Sequence, residues 1–175
     1  AKRLAGKIDS QLYHLPDAKY DENQLRSTLE SIQDRVYLYD HFGSSDWGTI
    51  SDIIRYLAHG CGVKYIFLDH LTALASHAED ERRELDRICS DISSLCQNLG
   101  VAMLVVSHLT TPKGESHEEG GRVKESQFTG SRAIARWAHF MVGFERDKQT
   151  DDVDEQNVST VRVLKDRHTG RGTGR

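Results

Sequence analysis

The amino-acid sequence predicts an α/β protein with a mainly parallel sheet, flanked by helices, and an antiparallel pair of strands near its carboxyl end. Two short apolar runs, 64–69 and 101–107, each end in a polar residue and are typical of strands buried on both faces of a parallel sheet. A helical stretch separates them, as a parallel crossover requires. Two further strands, 139–145 and 158–164, are joined by an acidic loop and predict the antiparallel pair.

The segment before the first parallel strand is predicted to be mainly helical. Helices are expected over 2–14 and 21–33, and Asp21 is a suitable N-cap for the second of them. A short strand is expected at 36–39, and apolar residues at helical spacing predict an amphipathic helix over 50–58 that ends near two glycines.

Helix, loop and strand alternate through the rest of the chain. Apolar residues three and four positions apart predict a helix over 79–98, which Gly100 stops. The polar, glycine-containing loop over 109–126 is long for a compact domain, which indicates that it is either functional or disordered. A helix is predicted over 131–137, and the acidic loop of the carboxyl-terminal hairpin over 147–156.

Length and charge limit the class of protein. A chain of 175 residues is long enough for one ordinary domain, here a helical lead-in with one short strand over 1–63 followed by 64–175. Its 23 basic and 27 acidic residues give a net charge of −4, which does not indicate a broadly basic, nucleic-acid-binding surface. Binding to nucleic acid would need a local patch or several copies of the chain.

Cysteine usage and hydropathy predict an intracellular protein. The three cysteines, Cys61, Cys89 and Cys96, contain no CxxC pair and leave one odd, which fits thiols in a reducing compartment. No apolar run approaches the ~20 residues of a membrane span, and the amino-terminal segment is too polar for a signal peptide. We therefore expect a cytoplasmic protein that is not secreted.

The carboxylate after the first parallel strand is the first candidate for chemistry. Asp69 lies where open α/β sheets bind ligands, and it can hold a magnesium ion directly or through a water molecule. His108 follows the next strand and is expected to open into the same crevice, where an imidazole can contact a γ-phosphate and signal its loss to the adjoining loop. The alternatives are an aspartate that caps a turn and a histidine with a structural role only.

The loop after His108 is a candidate for phosphate contacts. It offers the side chains of Lys113, Arg122 and Lys124, and its glycine amides can also contact phosphate oxygens. Four glutamates outnumber these three cations, so the electrostatic attraction to nucleic acid is weak in a single copy. The alternative is a solvated surface loop.

Two cations leave the last predicted strand together. Lys165 and Arg167 are separated by one residue, so their side chains point the same way if the strand stays extended. Beside the nucleotide of a neighbouring subunit, such a pair would neutralise charge that develops on the γ-phosphoryl group. The alternative is a basic strand end that faces water.

The histidines raise one competing possibility, a metallohydrolase. His70, His77, His108 and His117 fall on different elements, and no HxxxH or HxH spacing occurs among them. We therefore expect no dedicated transition-metal site, since such sites gather several ligands at characteristic spacings.

Four sequence segments in a fixed order resemble a known family. They read YIFLDH, AMLVVSHL, KGESHEEGGRVKESQFTGSRAIARWAH and RVLKDRHTGRGTG. Together they resemble the carboxyl-terminal motor domain of the ring-shaped replicative DNA helicases, most of all the phage primase–helicase and mitochondrial Twinkle branch, with the DnaB type more distant. The resemblance covers most of the chain and is strong over 64–172.

The resemblance implies a RecA-like P-loop NTPase core in a hexameric ring, with nucleotide sites between subunits. It implies 5′–3′ movement on single-stranded DNA driven by hydrolysis of ATP or dTTP with Mg²⁺, in the cytoplasm or, for a Twinkle-like protein, in the mitochondrion. By position, Asp69 would be the Walker B carboxylate associated with magnesium, and His108 the phosphate sensor. Lys165 and Arg167 would act in trans as the arginine-finger segment. The DNA-tracking region of the central channel would contain Lys113, Arg122, Lys124, Gly130 and Ser131.

The sequence departs from the family pattern at two places. Arg136 stands where the family often has a glutamine near the γ-phosphate, so a phosphate contact by charge is expected there, or else the role is lost. No G-x-x-x-x-G-K-[ST] occurs, since Gly6-Lys7 is followed by Ile8. We therefore expect a fragment without the glycine-rich phosphate loop and the catalytic glutamate, with negligible ATPase activity alone. A GKS or GKT within ~50 residues upstream would settle this expectation.

Two other classes of protein stay open. Another RecA-like ATPase, such as a recombinase or a KaiC-type regulator, would share the strand that ends at Asp69. The SHL strand, the loop that follows it and the K-D-R segment favour the helicase over that class. A degenerate module that only oligomerises or binds DNA would require that the complete gene also lack the glycine-rich loop.

Overall fold

A computed structural model describes the chain in five stretches: 1–39, 46–76, 78–111, 114 and 116–174. The chain forms two compact units, Ala1–Gly43 and Ser44–Arg175. The expectation that the chain is a single domain stays a prediction.

The first unit contains two helices, α1 (Lys2–Asp9) and α2 (Glu22–Ile32). The predicted N-cap is confirmed, because the Asp21 carboxylate accepts a hydrogen bond of 2.8 Å from the backbone N–H of Asn23. Buried side chains at Ala5, Tyr13 and Leu25 form the core of this unit.

Two predicted elements of the first unit differ from the structure. The helix expected over 2–14 ends at Asp9, because Ser10 adopts a left-handed conformation with φ of 55°. The strand expected at 36–39 is wrong, since this segment is irregular and exposed. An extended segment becomes a strand only when a neighbour exchanges main-chain hydrogen bonds with it. The two sheets that the structure describes both lie in the second unit and do not include 36–39.

The second unit contains the remaining helices and all the described strands. In chain order they are α3 (Trp47–Gly60), β1 (Tyr65–Leu68), α4 (Glu81–Leu99), β2 (Ala102–Val105), α5 (Ser131–Trp137), β3 (Phe140–Glu145), α6 (Val153–Gln156) and β4 (Thr160–Asp166). Short 3₁₀ turns lie at Leu71–Leu74 and Glu125–Gln127. Gly100 ends α4 with φ of 60°, which confirms the predicted stop.

The strands form two separate sheets of two strands each. β1 and β2 pair in parallel with Leu68 opposite Val105, and β3 and β4 pair antiparallel with Glu145 opposite Thr160. The predicted parallel and antiparallel pairings are therefore confirmed. The prediction of a mainly parallel sheet is corrected, because only one of the two described pairings is parallel.

The β1–β2 sheet is packed on one face only, whereas burial on both faces was predicted. Ile66, Leu68 and Met103 face a core built from α3, α4 and α5. On the opposite face, Tyr65 is 72% exposed and Phe67 is 76% exposed. Alternation of side chains along each strand produces this division once helices cover a single face.

None of the helices in the described stretches combines the length and the apolar character needed to cross a membrane.

Candidate functional site

Asp69 and His108 follow strands that run side by side. The main-chain ladder continues past β1 and β2, with the Val106 N–H donating to the Leu68 carbonyl at 2.9 Å and the Leu71 N–H donating to the Val106 carbonyl at 2.9 Å. Both predicted residues are exposed. Because parallel strands present their carboxyl ends at one edge, Asp69 and His108 lie at the edge where such sheets bind ligands.

The Asp69 side chain is a suitable ligand for magnesium. Within the described part of the chain, its carboxylate makes no hydrogen bond or ion pair, so its oxygens are available. Mg²⁺ is commonly held by one or two carboxylates together with water and substrate phosphates. A single exposed carboxylate therefore fits a magnesium ion that a bound nucleotide helps to hold.

The described histidines lie apart from any cluster of possible metal ligands. No group of three or more His, Cys, Asp or Glu side chains among the described residues could hold a metal ion. His117 lies in the long loop, where its Nδ1 is 3.3 Å from the Gly121 carbonyl oxygen. His77 lies outside the described residues.

His70 joins this edge, although the sequence analysis gave it no role. Its ring contacts the His108 ring edge-on, with the centroids 4.2 Å apart. Its Nδ1 accepts a hydrogen bond of 3.2 Å from the Ala73 N–H and lies 2.8 Å from Thr72 Oγ1. Acceptance at Nδ1 places the proton of a neutral ring on Nε2. His70 is thus held by its own hydrogen-bond partners and packs against the imidazole of His108, and its position directly after Asp69 was the signal in the sequence.

The long loop, residues 109–129, is closed at its base beside His108. Leu109 and Phe128 form an antiparallel bridge. The Thr110 N–H donates to the Gln127 carbonyl at 2.7 Å, and the Thr129 N–H donates to the His108 carbonyl at 3.0 Å. The His108 backbone is therefore hydrogen-bonded to the end of the long loop.

Two predicted basic residues of the long loop flank a buried anchor. Val123 is 3% exposed, whereas Arg122 and Lys124 on either side of it are exposed. Side chains of an extended segment alternate between its faces, so both cations point away from the protein. Lys113, the third predicted cation, lies outside the described residues.

Gly130 and Ser131 lie at the start of α5. Gly130 precedes the helix with φ of 76°, and Ser131 is the first helical residue. An added Cβ at Gly130 would be 2.8 Å from Leu85 Cδ1, so this glycine lets α5 approach α4 closely.

A buried carboxylate that the sequence analysis missed anchors the long loop to β3 and β4. Glu145 is 8% exposed, and its Oε1 accepts a hydrogen bond of 2.8 Å from the Val123 N–H. Arg162 on β4 binds the same carboxylate through Nε at 2.7 Å and Nη2 at 2.9 Å. The Arg162 hydrogen bonds, with a smaller contribution from the Val123 N–H, hold the pKa of Glu145 below its ordinary value despite burial. The signal in the sequence was a charged residue on the inward face of an alternating strand.

The predicted cation pair is split by the end of β4. Lys165 lies opposite Met141, and its ammonium group donates to the Ala135 carbonyl in α5. β4 ends at Asp166, whose carboxylate accepts hydrogen bonds of 3.0 Å from the His168 N–H and from the Thr169 N–H. The Arg167 N–H donates to the His139 carbonyl at 2.9 Å. The side chains of Lys165 and Arg167 were expected to point the same way only if the strand extended through both. The strand ends before Arg167, so that condition is not met.

The remaining cations differ in availability. The Arg167 side chain is exposed and makes no hydrogen bond or ion pair with the residues that the structure describes. Arg136 instead pairs with Asp86 of α4 at 3.2 Å, in an exposed ion pair. Across the described stretches, no hydrogen bond or ion pair connects either arginine with Asp69 or His108.

Comparison with known proteins gave two findings. The model of the DnaB-like helicase C terminal domain family matches residues 4–175. A DNA helicase/primase of Enterobacteria phage T3 is 34% identical over 140 residues, which are 78% of this chain and 24% of that protein. The chain therefore spans about a quarter of the length of the curated relative that it matches.

Proposed function

The chain belongs to the family of DnaB-like helicase C-terminal domains, and on that premise we propose that it is a motor domain of a replicative DNA helicase. The proposed activity is hydrolysis of ATP or dTTP, with Mg²⁺, coupled to 5′–3′ movement on single-stranded DNA. The observation that carries this proposal is the strand edge at which Asp69 and His108 follow two parallel strands.

Two residues at the strand edge would contact the phosphates of a bound nucleoside triphosphate. The Asp69 carboxylate would hold Mg²⁺, which neutralises charge on the phosphate oxygens. His108 would contact the γ-phosphate, and the hydrogen bond between its carbonyl and the Thr129 N–H would pass a change in that contact to the long loop. The ring of His70 would keep the imidazole of His108 in place.

The cations near the carboxyl end would act on a neighbouring subunit in a hexameric ring. Arg167 is the better candidate for the arginine finger, because its guanidinium is exposed while the ammonium of Lys165 is engaged by α5. Lys165 would then position the strand end or exchange its carbonyl partner for a phosphate. Arg136 would have to leave Asp86 before it could contact a nucleotide.

The long loop would face single-stranded DNA in the central channel. Arg122 and Lys124 point outward and would contact backbone phosphates, and we include Lys113 in the same role. Gly130 and Ser131 would contribute backbone groups at the start of α5. A ring would place Arg122 and Lys124 of every subunit at the channel, so contacts to phosphates would be multiplied although each loop has more acidic than basic side chains.

The test uses the natural full-length product that contains this sequence. We expect NTP hydrolysis that single-stranded DNA stimulates, and unwinding of a forked duplex that requires a 5′ tail. Asp69→Ala should lower kcat by at least about 100-fold, because loss of charge stabilisation at a transferring phosphoryl group removes several kcal/mol. The matched control is Asp91→Ala, which removes a carboxylate that forms an exposed ion pair with Arg87.

A second arm uses the 175-residue polypeptide alone. Its sequence has no G-x-x-x-x-G-K-[ST], so we expect negligible hydrolysis. Hydrolysis by this polypeptide that Asp69→Ala abolishes would contradict that expectation. Full-length protein that does not hydrolyse NTP, or an Asp69→Ala variant as active as Asp91→Ala, would contradict the proposed function.

A further inference from the structure

Two elements that the proposed function requires to act together meet at one buried side chain. Glu145, at the end of β3, accepts hydrogen bonds from the Val123 N–H of the long loop and from the guanidinium of Arg162 on β4. The two partners lie 22 and 17 positions away in the sequence. One carboxylate therefore connects a predicted DNA-contacting segment to β4, the strand that directly precedes the predicted arginine finger Arg167.

Close packing reinforces this connection. Val123 lies against Gly143 of β3, where an added Cβ would be 2.9 Å from Val123 Cβ. Further out, the Lys148 N–H donates to the Glu118 carbonyl at 3.0 Å, and Glu119 pairs with Asp147 in an antiparallel bridge. The second half of the long loop thus lies along the β3–β4 hairpin.

The other end of the connection leads to the predicted trans-acting cations. Arg162 is three positions before Lys165 on β4, and both belong to the hydrogen-bonded part of the strand. Directly after the strand, the Arg167 N–H donates a hydrogen bond to the His139 carbonyl. A shift of the long loop that pulls on Glu145 would therefore move β4, and with it the position of Arg167.

We propose that Glu145 is a positioning residue that couples the DNA-facing loop to the arginine-finger strand. This inference rests on the proposed function. Binding of single-stranded DNA to Arg122 and Lys124 displaces Val123, and the displacement reaches the neighbouring subunit's nucleotide site through Glu145 and Arg162. The coupling is reciprocal, so a nucleotide bound between subunits changes the affinity for DNA through the same contact.

The experiment measures the Kd of the full-length product for an oligothymidylate, with and without a non-hydrolysable NTP analogue. The ratio of the Kd without the analogue to the Kd with it reports how strongly bound nucleotide tightens binding to DNA. Glu145→Gln keeps an acceptor for the Val123 N–H but removes the charge that binds Arg162. Gly143→Ala keeps both Glu145 and Arg162 and displaces Val123, because the added Cβ would be 2.9 Å from Val123 Cβ. Each variant should lower the ratio about fivefold or more, the small end of measured couplings, and Glu145→Gln should keep the nucleotide-free Kd within about twofold of wild type.

The matched control is Arg146→Gln, since Arg146 follows Glu145 but bonds to the Gln156 carbonyl and to Asn157 in the hairpin connection instead of to the long loop. It should keep the wild-type ratio. Unchanged ratios in Glu145→Gln and Gly143→Ala, or an equal loss in Arg146→Gln, would overturn the inference alone. If Glu145→Gln fails to fold, as judged by circular dichroism, Gly143→Ala decides the outcome. A wild-type ratio of one in a protein that hydrolyses NTP would also overturn the inference, whereas wild-type protein that does not hydrolyse NTP would overturn the proposed function.

Discussion

Gly130 has a backbone conformation and a neighbour that together favour glycine. Its φ is 76°, and an added Cβ would be 2.8 Å from Leu85 Cδ1 in the core. Gly130→Ala should lower the free energy of unfolding by about 2–4 kcal/mol, from left-handed strain and overpacking together. Urea denaturation of the purified chain measures this change.

Gly100 provides the matched control for that prediction. Its φ is 60°, but nothing lies within 4 Å of an added Cβ. Gly100→Ala should therefore cost only the strain, about 1 kcal/mol. Equal losses in the two variants would show that Leu85 moves aside and that close packing at Gly130 contributes no stability.

At the same scale, the sequence indicated some candidate site residues but not the partners of the residues around them. Asp69 and His108 could be found because each follows an apolar run, which is a local pattern. Glu145 could not be assigned a partner, because its hydrogen bonds reach Val123 and Arg162 in distant segments. Contacts of this kind depend on how strands pair and where a loop docks, which no local pattern encodes.

At the scale of elements, α4 offers a direct test of what starts a helix. The Asp80 carboxylate accepts a hydrogen bond of 3.0 Å from the Arg83 N–H, which satisfies one of the free donors at the helix start. Asp80→Ala should lower the free energy of unfolding by about 1 kcal/mol, and Asp80→Asn should keep most of it. Thermal unfolding followed by circular dichroism compares the two variants. Equal stability of Asp80→Ala and wild type would contradict this role.

Elements with both a periodic pattern and a terminal signal were predicted well. The helix expected over 79–98 is α4 (Glu81–Leu99), and the helix expected over 131–137 is α5. The acidic loop at 147–156 contains a short helix, α6, that was not predicted. Its start is fixed by the Asp152 carboxylate, which accepts from the Asp154 N–H at 2.8 Å, but four residues are too few to show a helical period.

At the scale of the whole molecule, the first unit should lose stability in alkali. The Tyr13 hydroxyl donates to Asp9 Oδ2 at 2.5 Å, and this hydrogen bond raises the pKa of Tyr13 from 10.0 to about 12. A raised pKa means that folding favours the neutral form. The contribution is therefore complete below pH 10 and is lost as pH rises toward 12.

An absorbance titration of tyrosinate tests this expectation. One of the six tyrosines should titrate later than the rest, and Tyr13→Phe should remove that late step. The matched control is Tyr56→Phe, because Tyr56 is 70% exposed. A late step that survives in Tyr13→Phe would assign it to another tyrosine.

The extent of the sheets was the part of the fold that the sequence predicted least well. Local patterns located the strands and the antiparallel hairpin, but they do not state how many strands share a sheet. Burial of both faces at 64–69 was expected because the segment is an apolar run. A run that contains exposed aromatic residues, here Tyr65 and Phe67, cannot be distinguished in the sequence from one that is buried on both faces. The number of layers is decided by packing between elements, which is a property of the folded chain.

Each strand that the structure describes has a neighbouring strand on one edge only, and on the other edge of β4 the Val163 carbonyl accepts a hydrogen bond of 2.9 Å from the Gly174 N–H. The exposed faces beside those edges carry Phe67, which is 76% exposed, and Phe144, which is 74% exposed. Unpaired main-chain groups next to bare aromatic side chains are a template on which further strands can add. We therefore expect the isolated polypeptide to be prone to ordered aggregation, which dilution or charged substitutions along these edges would oppose.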